Sequence, residues 1–218
     1  LAFCNRLIGW LGEDGSGLMN AMGAASVDGR TYDFGIYYDD ESLQNEVEQK
    51  ISETTPIIKK YQAKTMTAEV FGLDLLANII SNPEYLHIVD GRTCKYDNEI
   101  VVTQVVANEH HIKIGDKVKV GIENHSKEMI VSGINQCAND MGENISMGIA
   151  AYENIIKGES QYYQNYILED KSKKDGILEK LYKEYDGKIN IEDNTWSGID
   201  GILNASGALG KLMDVICA

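Results

Sequence analysis

Short apolar runs separated by polar turns predict a small all-β unit between residues 91 and 134. In its middle, Val118, Val120 and Ile122 alternate with polar or small residues, so their side chains point to one face of a strand. One buried face and one polar face are typical of an antiparallel sheet. The strands are expected at residues 98–103, 118–122 and 129–134.

Two strand-helix-strand units flank this all-β unit. The first comprises a strand at residues 32–38, a helix capped by Asp40 and a segment at 57–71 that forms one long strand or two. The second comprises a strand at 162–168, a helix capped by Asp170 and a strand at 188–192. Two such units separated in sequence predict a split ferredoxin-like α+β subdomain with a β-rich insertion.

The remaining segments show helical patterns. Leu75, Leu76, Ile79 and Ile80 predict a short helix that ends at Asn82-Pro83. Both ends of the chain predict amphipathic helices, and the charges in the first one exclude a membrane-spanning helix there. The predicted division is therefore an N-terminal stalk helix (1–24), a porter-like α+β subdomain in two halves (25–72 and 162–194), an inserted β-rich subdomain (73–161) and a C-terminal stalk helix (195–218).

Composition limits the possible functions. The chain has 218 residues, of which 43% are hydrophobic, and this is enough for a substantial core. Its net charge of -14 argues against binding to nucleic acid or anionic membranes as the main role and permits attraction to cationic partners. The alternative explanation is that the acidic surface keeps an exported domain soluble.

Catalytic chemistry finds little support in the sequence. The histidines His87, His110, His111 and His125 lack metal-ligand spacing, and the adjacent pair is expected on a strand, where the two side chains point to opposite faces. Neither a Gly-x-Ser-x-Gly elbow nor a phosphate-binding loop is present. We therefore predict no catalytic residue, no metal ligand and no cofactor, and we assign no substrate-binding residue.

The order of the motifs "GRTCKYDNEIVVTQVVA", "IKIGDKVKV" and "MIVSGI" resembles the extracytoplasmic core domain of FtsX-like and MacB-like ABC transporter permeases. Cys94 departs from the pattern, which has a small residue or proline at this position. The resemblance implies the α+β architecture described above and a non-catalytic domain on the extracellular side of the bacterial cytoplasmic membrane. It also implies that ATP is hydrolysed by a separate cytoplasmic subunit or domain, to which the domain couples substrate contact through the membrane helices.

The resemblance further implies the partners. These are the transporter's own membrane helices and ATPase, a second permease copy, and a peptide, lipoprotein or drug as substrate. The alternative hypothesis is a secreted or surface α+β enzyme, such as a hydrolase with an unrecognised site. Membrane spans on both sides of the chain in a longer protein would distinguish the two hypotheses.

Four cysteines complete the set of candidate residues. Cys94 and Cys137 both lie in the predicted insertion, where a disulfide between them is one option. Cys4 and Cys217 lie near the two ends of the chain. If the terminal helices form an antiparallel stalk, these two residues come to the same end, and they can bond only if their Cα atoms approach within about 7 Å.

Overall fold

The computed structural model describes residues 32–137, 142–158 and 160–194. The chain has a mixed α+β fold, which confirms the predicted class at this level. The strands are β1 (Phe34–Tyr38), β2 (Ile57–Val70), β3 (Leu73–Ile80), β4 (Ile88–Gly91), β5 (Glu99–Thr103), β6 (Lys117–Ile122), β7 (His125–Asn135), β8 (Asn144–Gly148), β9 (Tyr163–Leu168) and β10 (Ile189–Asp193). The α-helices are α1 (Gln44–Ser52), α2 (Gln104–Glu109), α3 (Ile149–Ile156) and α4 (Lys174–Glu184).

One hydrogen-bonded sheet connects all ten strands, in the order β10-β1-β9-β2-β3-β8-β5-β7-β4 with β6 beside β2 and β7. The fourteen-residue strand β2 joins its two parts. The first half of β2 pairs with β9, and the second half pairs with β3 and β6. The predicted division into a porter-like subdomain and an inserted β-rich subdomain implies two separate sheets, and this implication is wrong because strands between residues 100 and 134 share one sheet with residues 34–38. The exact subdomain boundaries stay a prediction.

Six strands close into a ring, in which β2, β3, β8, β5, β7 and β6 each pair with the next and β6 pairs again with β2. The closure is narrow, with Glu69 opposite Gly121 and Val70 opposite Val120. A Cβ atom at Gly121 would lie only 3.3 Å from the Cβ of Glu69, so glycine permits this close approach. Alternate side chains of each strand fill the interior, and α3 packs against them.

The other part of the sheet has the order β10-β1-β9-β2 and carries α1 and α4 on one face. Asp40 and Asp170 accept hydrogen bonds from the backbone amides of Ser42 and Ser172, so each caps the 3-10 turn that leads into its helix, close to the predicted starts. Beneath α1 the hydroxyls of Tyr38 and Tyr166 lie 2.8 Å apart. This second core is separate from that of the ring.

Two local predictions are wrong. Residues 73–80 form strand β3 and not a helix, because their apolar side chains are buried on both sides of the sheet. His110 and His111 do not lie on a strand: His110 ends the short helix α2, and His111 follows in a turn. The predicted stalk helices, Cys4 and Cys217 lie outside the described residues.

Among the described helices, none has both the length and the apolar character that crossing a membrane requires.

Candidate functional site

The described chain begins and ends at one point of the sheet. The side-chain amide of Asn194 donates a hydrogen bond to the backbone carbonyl of Tyr32 (2.7 Å), and its backbone amide donates to the carbonyl of Asp33 (3.3 Å). The adjoining strands β1 and β10 pair in antiparallel fashion, with Phe34 opposite Asp193. The segments that precede residue 32 and follow residue 194 therefore attach side by side.

The opposite end of the molecule lies far from this attachment point. Phe34 pairs with Tyr166, and Tyr166 pairs with Lys60, so these residues are level across the sheet. From Lys60 the strand β2 continues to Val70, which at about 3.3 Å per residue corresponds to about 33 Å. We call this opposite end, where the β2–β3 turn lies, the distal end.

A groove of about 610 Å³ lies at the distal end. Its walls come from the tip of the β2–β3 hairpin, from strand β6 and from the β6–β7 turn. We call it the distal groove, and it is lined by Glu69, Phe71, Gly72, Ile112, Asp116, Lys117, Val118, Lys119, Gly121, Glu123, Asn124, His125 and Ser126.

Backbone strain is concentrated around this groove. Among the described residues, four non-glycine residues have a positive φ, and three of them lie here: Phe71 (59°), His111 (55°) and Glu123 (52°). The fourth, Lys157, is the residue that ends α3. Strained conformations of this kind cost free energy and tend to occur at functional sites. This clustering is the main reason to regard the distal groove as the candidate site.

An exposed apolar tip borders the groove. The ring of Phe71 stacks on that of His110, with 4.7 Å between centroids and 15° between planes, and Phe71 remains 36% exposed. Leu73, on the other side of Gly72, is 47% exposed. Exposed aromatic and aliphatic side chains at a rigid hairpin tip suit contact with another molecule.

Charges of both signs line the groove. Lys117 pairs with Glu128 at 2.7 Å, and this hydrogen bond raises the pKa of the lysine. Because both side chains are more than 60% exposed, the pair contributes little to stability. The Nδ1 atom of His125 is buried and has no hydrogen-bond partner among the described residues, which is an uncommon situation for a polar atom.

The cysteines of the described part do not form a reactive centre. Cys94 and Cys137 are both buried, and no disulfide bond links them. Burial raises the pKa of Cys94 to about 11, so the thiol stays protonated near neutral pH and is a poor nucleophile. Across residues 32–137, 142–158 and 160–194 no three His, Cys, Asp or Glu side chains are placed to hold a metal ion.

The four histidines are dispersed. His110 and His125 border the distal groove, and His111 lies in the turn beside it. His87 lies elsewhere, where its carbonyl accepts a hydrogen bond from the amide of Gln136. The four side chains therefore do not meet at one common site.

The sequence alone did not identify the distal groove. One signal was present, because Phe71-Gly72 forms a two-residue hairpin turn in which both residues need a positive φ. Such turns normally contain Asn-Gly or Asp-Gly. A phenylalanine at this position therefore indicates a backbone conformation that costs free energy.

Comparison with known proteins gave matches to structures only, since no family model and no curated protein matches the chain. The chain is similar to the periplasmic region of MacB from Actinobacillus actinomycetemcomitans (14% identity, 85% of this chain and 96% of that one, TM-score 0.49). It is also similar to the extracellular domain of the noncanonic ABC-type transporter YknZ from Gram-positive bacteria (13% identity, 73% and 99%, TM-score 0.49). A third similar structure is a domain of a protein described as a permease from Porphyromonas gingivalis (10% identity, 79% and 99%, TM-score 0.41). The similar structures are thus domains of transporter or permease proteins, and domains of this kind are also what the motifs between residues 91 and 134 resemble.

Proposed function

We propose that the chain is the non-catalytic extracytoplasmic domain of a bacterial ABC transporter permease. In this proposal the strands β10-β1-β9-β2 with α1 and α4 form the split ferredoxin-like, porter-like part, and the six-stranded ring is the β-rich part. The domain couples contact with a substrate or partner to the ATP-driven motion of the membrane helices.

The position of the first and last described residues carries this proposal. A domain inserted between two membrane spans needs its connections to leave side by side, and Tyr32 and Asn194 are joined by a hydrogen bond of 2.7 Å. A stand-alone enzyme has no such requirement. The residues that precede and follow would form the predicted stalk.

The distal groove is the proposed contact surface. Its wall at the β2–β3 turn lies about 33 Å along β2 from the level of the attachment point, so a molecule bound there would be held away from the membrane. Because β2 runs without interruption from one part to the other, a force on the groove would pass along β2 and then across β9 to β1, which carries the attachment point.

The chemistry of the described residues supports binding more than catalysis. The buried thiol of Cys94 is kept protonated, and its hydrogen-bond partners are the hydroxyl of Ser132 and the carbonyl of Ser146. Neither of these groups is a base that could activate the thiol.

Labelling of intact cells tests the proposal. The variant Asn124→Cys places a thiol in the exposed β6–β7 turn, and in the full-length protein it should react with a membrane-impermeant maleimide without lysis. The unsubstituted protein is the control for background labelling. The labelled protein should also stay in the membrane after alkaline carbonate extraction and purify together with ATP-hydrolysing activity.

Two results would contradict the proposal. Labelling that occurs only after lysis would place the domain on the cytoplasmic side. Release of the labelled protein by carbonate, with no associated ATPase, would favour the secreted or surface enzyme.

A further inference from the structure

The four-stranded part of the sheet has a second face, on which none of the helices within residues 32–137, 142–158 and 160–194 packs. Phe34, Ile36 and Tyr38 of β1 pack under α1 and α4, so the alternate residues Gly35 and Tyr37 point to the other face. The strand pairings place further side chains beside them. We call this surface the tyrosine face, and it comprises Gly35, Tyr37, Tyr61, Tyr163, Asn165 and Glu192.

Aromatic rings flank the centre of the tyrosine face. The rings of Tyr37 and Tyr163 lie 5.7 Å apart at 52°, and both side chains are only half-buried. On the other side, the ring of Tyr61 makes edge contacts with Tyr32 at 6.4 Å and with Tyr85 at 6.0 Å. Electron-rich ring faces of this kind attract cations.

The centre itself holds an unused hydrogen-bond acceptor. A Cβ atom at Gly35 would lie 2.6 Å from Oδ1 of Asn165 and 3.4 Å from Cδ1 of Tyr163, so only glycine leaves room for these two side chains. Asn165 is 4% exposed, and its Oδ1 has no hydrogen-bond partner. A buried acceptor without a donor is costly, and an entering N–H group would satisfy it.

The charge at this centre is negative. Glu192 lies opposite Gly35 in the strand pairing, is exposed, and accepts a hydrogen bond from the hydroxyl of Tyr32 at 3.3 Å. After burial, the proximity of this carboxylate is the main cause of the raised pKa of Tyr163. In the described part of the chain, Glu192 forms no ion pair with lysine or arginine.

We propose that the tyrosine face binds an arginine side chain of a basic peptide, with the guanidinium against Tyr37 and Tyr163 and its N–H groups directed to Glu192 and Asn165. The planar guanidinium stacks on aromatic rings and donates several hydrogen bonds at once, which an ammonium group cannot do. The net charge of -14 favours such a partner and disfavours anions. The proposal goes beyond the transport role and does not depend on it, because the distal groove is a different surface.

Titration with a defined peptide tests this inference. The probe is acetyl-(Gly-Arg)₃-amide, and the comparison peptide contains citrulline, which keeps the shape of arginine but is neutral. Binding to the 218-residue chain is measured by calorimetry and by changes in amide NMR signals. We expect the citrulline peptide to bind at least about tenfold more weakly, because both the ion pair and the cation–π contact are lost.

Variants locate the binding surface. We expect Tyr163→Leu and Glu192→Gln each to weaken binding by about fivefold, whereas Tyr163→Phe, which keeps the ring, should bind within about twofold of the unsubstituted protein. The matched controls are Tyr96→Leu and Glu179→Gln, which change an exposed tyrosine and an exposed glutamate elsewhere. These should leave binding unchanged.

Several outcomes would overturn the inference. One is equal binding of the arginine and citrulline peptides, and another is equal weakening by Glu192→Gln and Glu179→Gln, which would indicate nonspecific charge attraction. No binding at millimolar peptide would do the same. Because Glu192 is exposed, its glutamine variant remains informative even if Tyr163→Leu fails to fold.

Discussion

Two opposing contributions to the free energy of unfolding meet at Phe71, in the strained tip of the β2–β3 hairpin. A non-glycine residue in the left-handed region costs about 1–2 kcal/mol, whereas the stacking of Phe71 on His110 returns about 0.5–1.5 kcal/mol. Phe71→Leu loses the stacking and keeps the backbone cost, so it should destabilise the chain by about 1 kcal/mol. Phe71→Asn also loses the stacking, but asparagine tolerates this conformation, so its stability should be close to that of the unsubstituted chain.

Chemical and thermal unfolding measure these differences. The asparagine variant should be more stable than the leucine variant by about 1 kcal/mol, which corresponds to about 2–4 °C in Tm for a domain of this size. His110→Ala isolates the stacking contribution, because it leaves residue 71 unchanged. Equal stabilities of the asparagine and leucine variants would refute the argument that position 71 is strained.

Three further predictions concern the stability and the chemical reactivity of the β-rich part. A Cβ atom at Gly133 would overlap the carbonyl oxygen of Arg92 and lie 3.0 Å from its carbonyl carbon. Gly133→Ala should therefore lower the free energy of unfolding by about 1–3 kcal/mol in urea titrations. The control Gly176→Ala has open space in helix α4 and should raise the free energy of unfolding by about 0.5–1 kcal/mol. The hydrogen bond from Arg92 lowers the pKa of Glu99 in the folded state, so its stabilisation is present above the unfolded pKa of about 4.3 and is lost as the pH falls through the folded pKa. Glu99→Gln should therefore cost about 1–3 kcal/mol at pH 7 and progressively less below about pH 4, and a gap that is independent of pH would contradict this. Cys94, whose pKa is raised to about 11, should resist iodoacetamide at pH 8 until urea unfolds the chain, as followed by peptide mapping; rapid alkylation of the folded protein would count against its burial.

Local patterns in the sequence predicted most strands but not their pairing. In residues 34–38 the large side chains of Phe34, Ile36 and Tyr38 recur at every second position and are fully or nearly fully buried, so the period of two was a reliable signal. Residues 73–80 are apolar on both sides because Leu75, Ala77 and Ile79 face the interior of the ring, while Ile80, on the opposite side of the strand, is also fully buried. A short apolar run of this kind does not distinguish a strand from a buried helix.

The candidate site could not be predicted because it depends on contacts between distant residues. The groove exists because Val70 pairs with Val120, and no local pattern specifies which strand closes the ring. The tyrosine face likewise needs Gly35 to pair with both Asn165 and Glu192. Only the tight turn at Phe71-Gly72 had a local signature.

The shared strand β2 has a consequence for the order of folding. All six strands of the ring lie between residues 57 and 148, so the ring can close while β9 and β10 are still being synthesised. Strand β1 has to wait, because both of its neighbours in the sheet come last in the chain. Once the ring has fixed the second half of β2, its first half provides a ready edge for β9, which then recruits β1 and β10. In pulsed hydrogen exchange during refolding, the amide of Val120 should therefore become protected before that of Ile36.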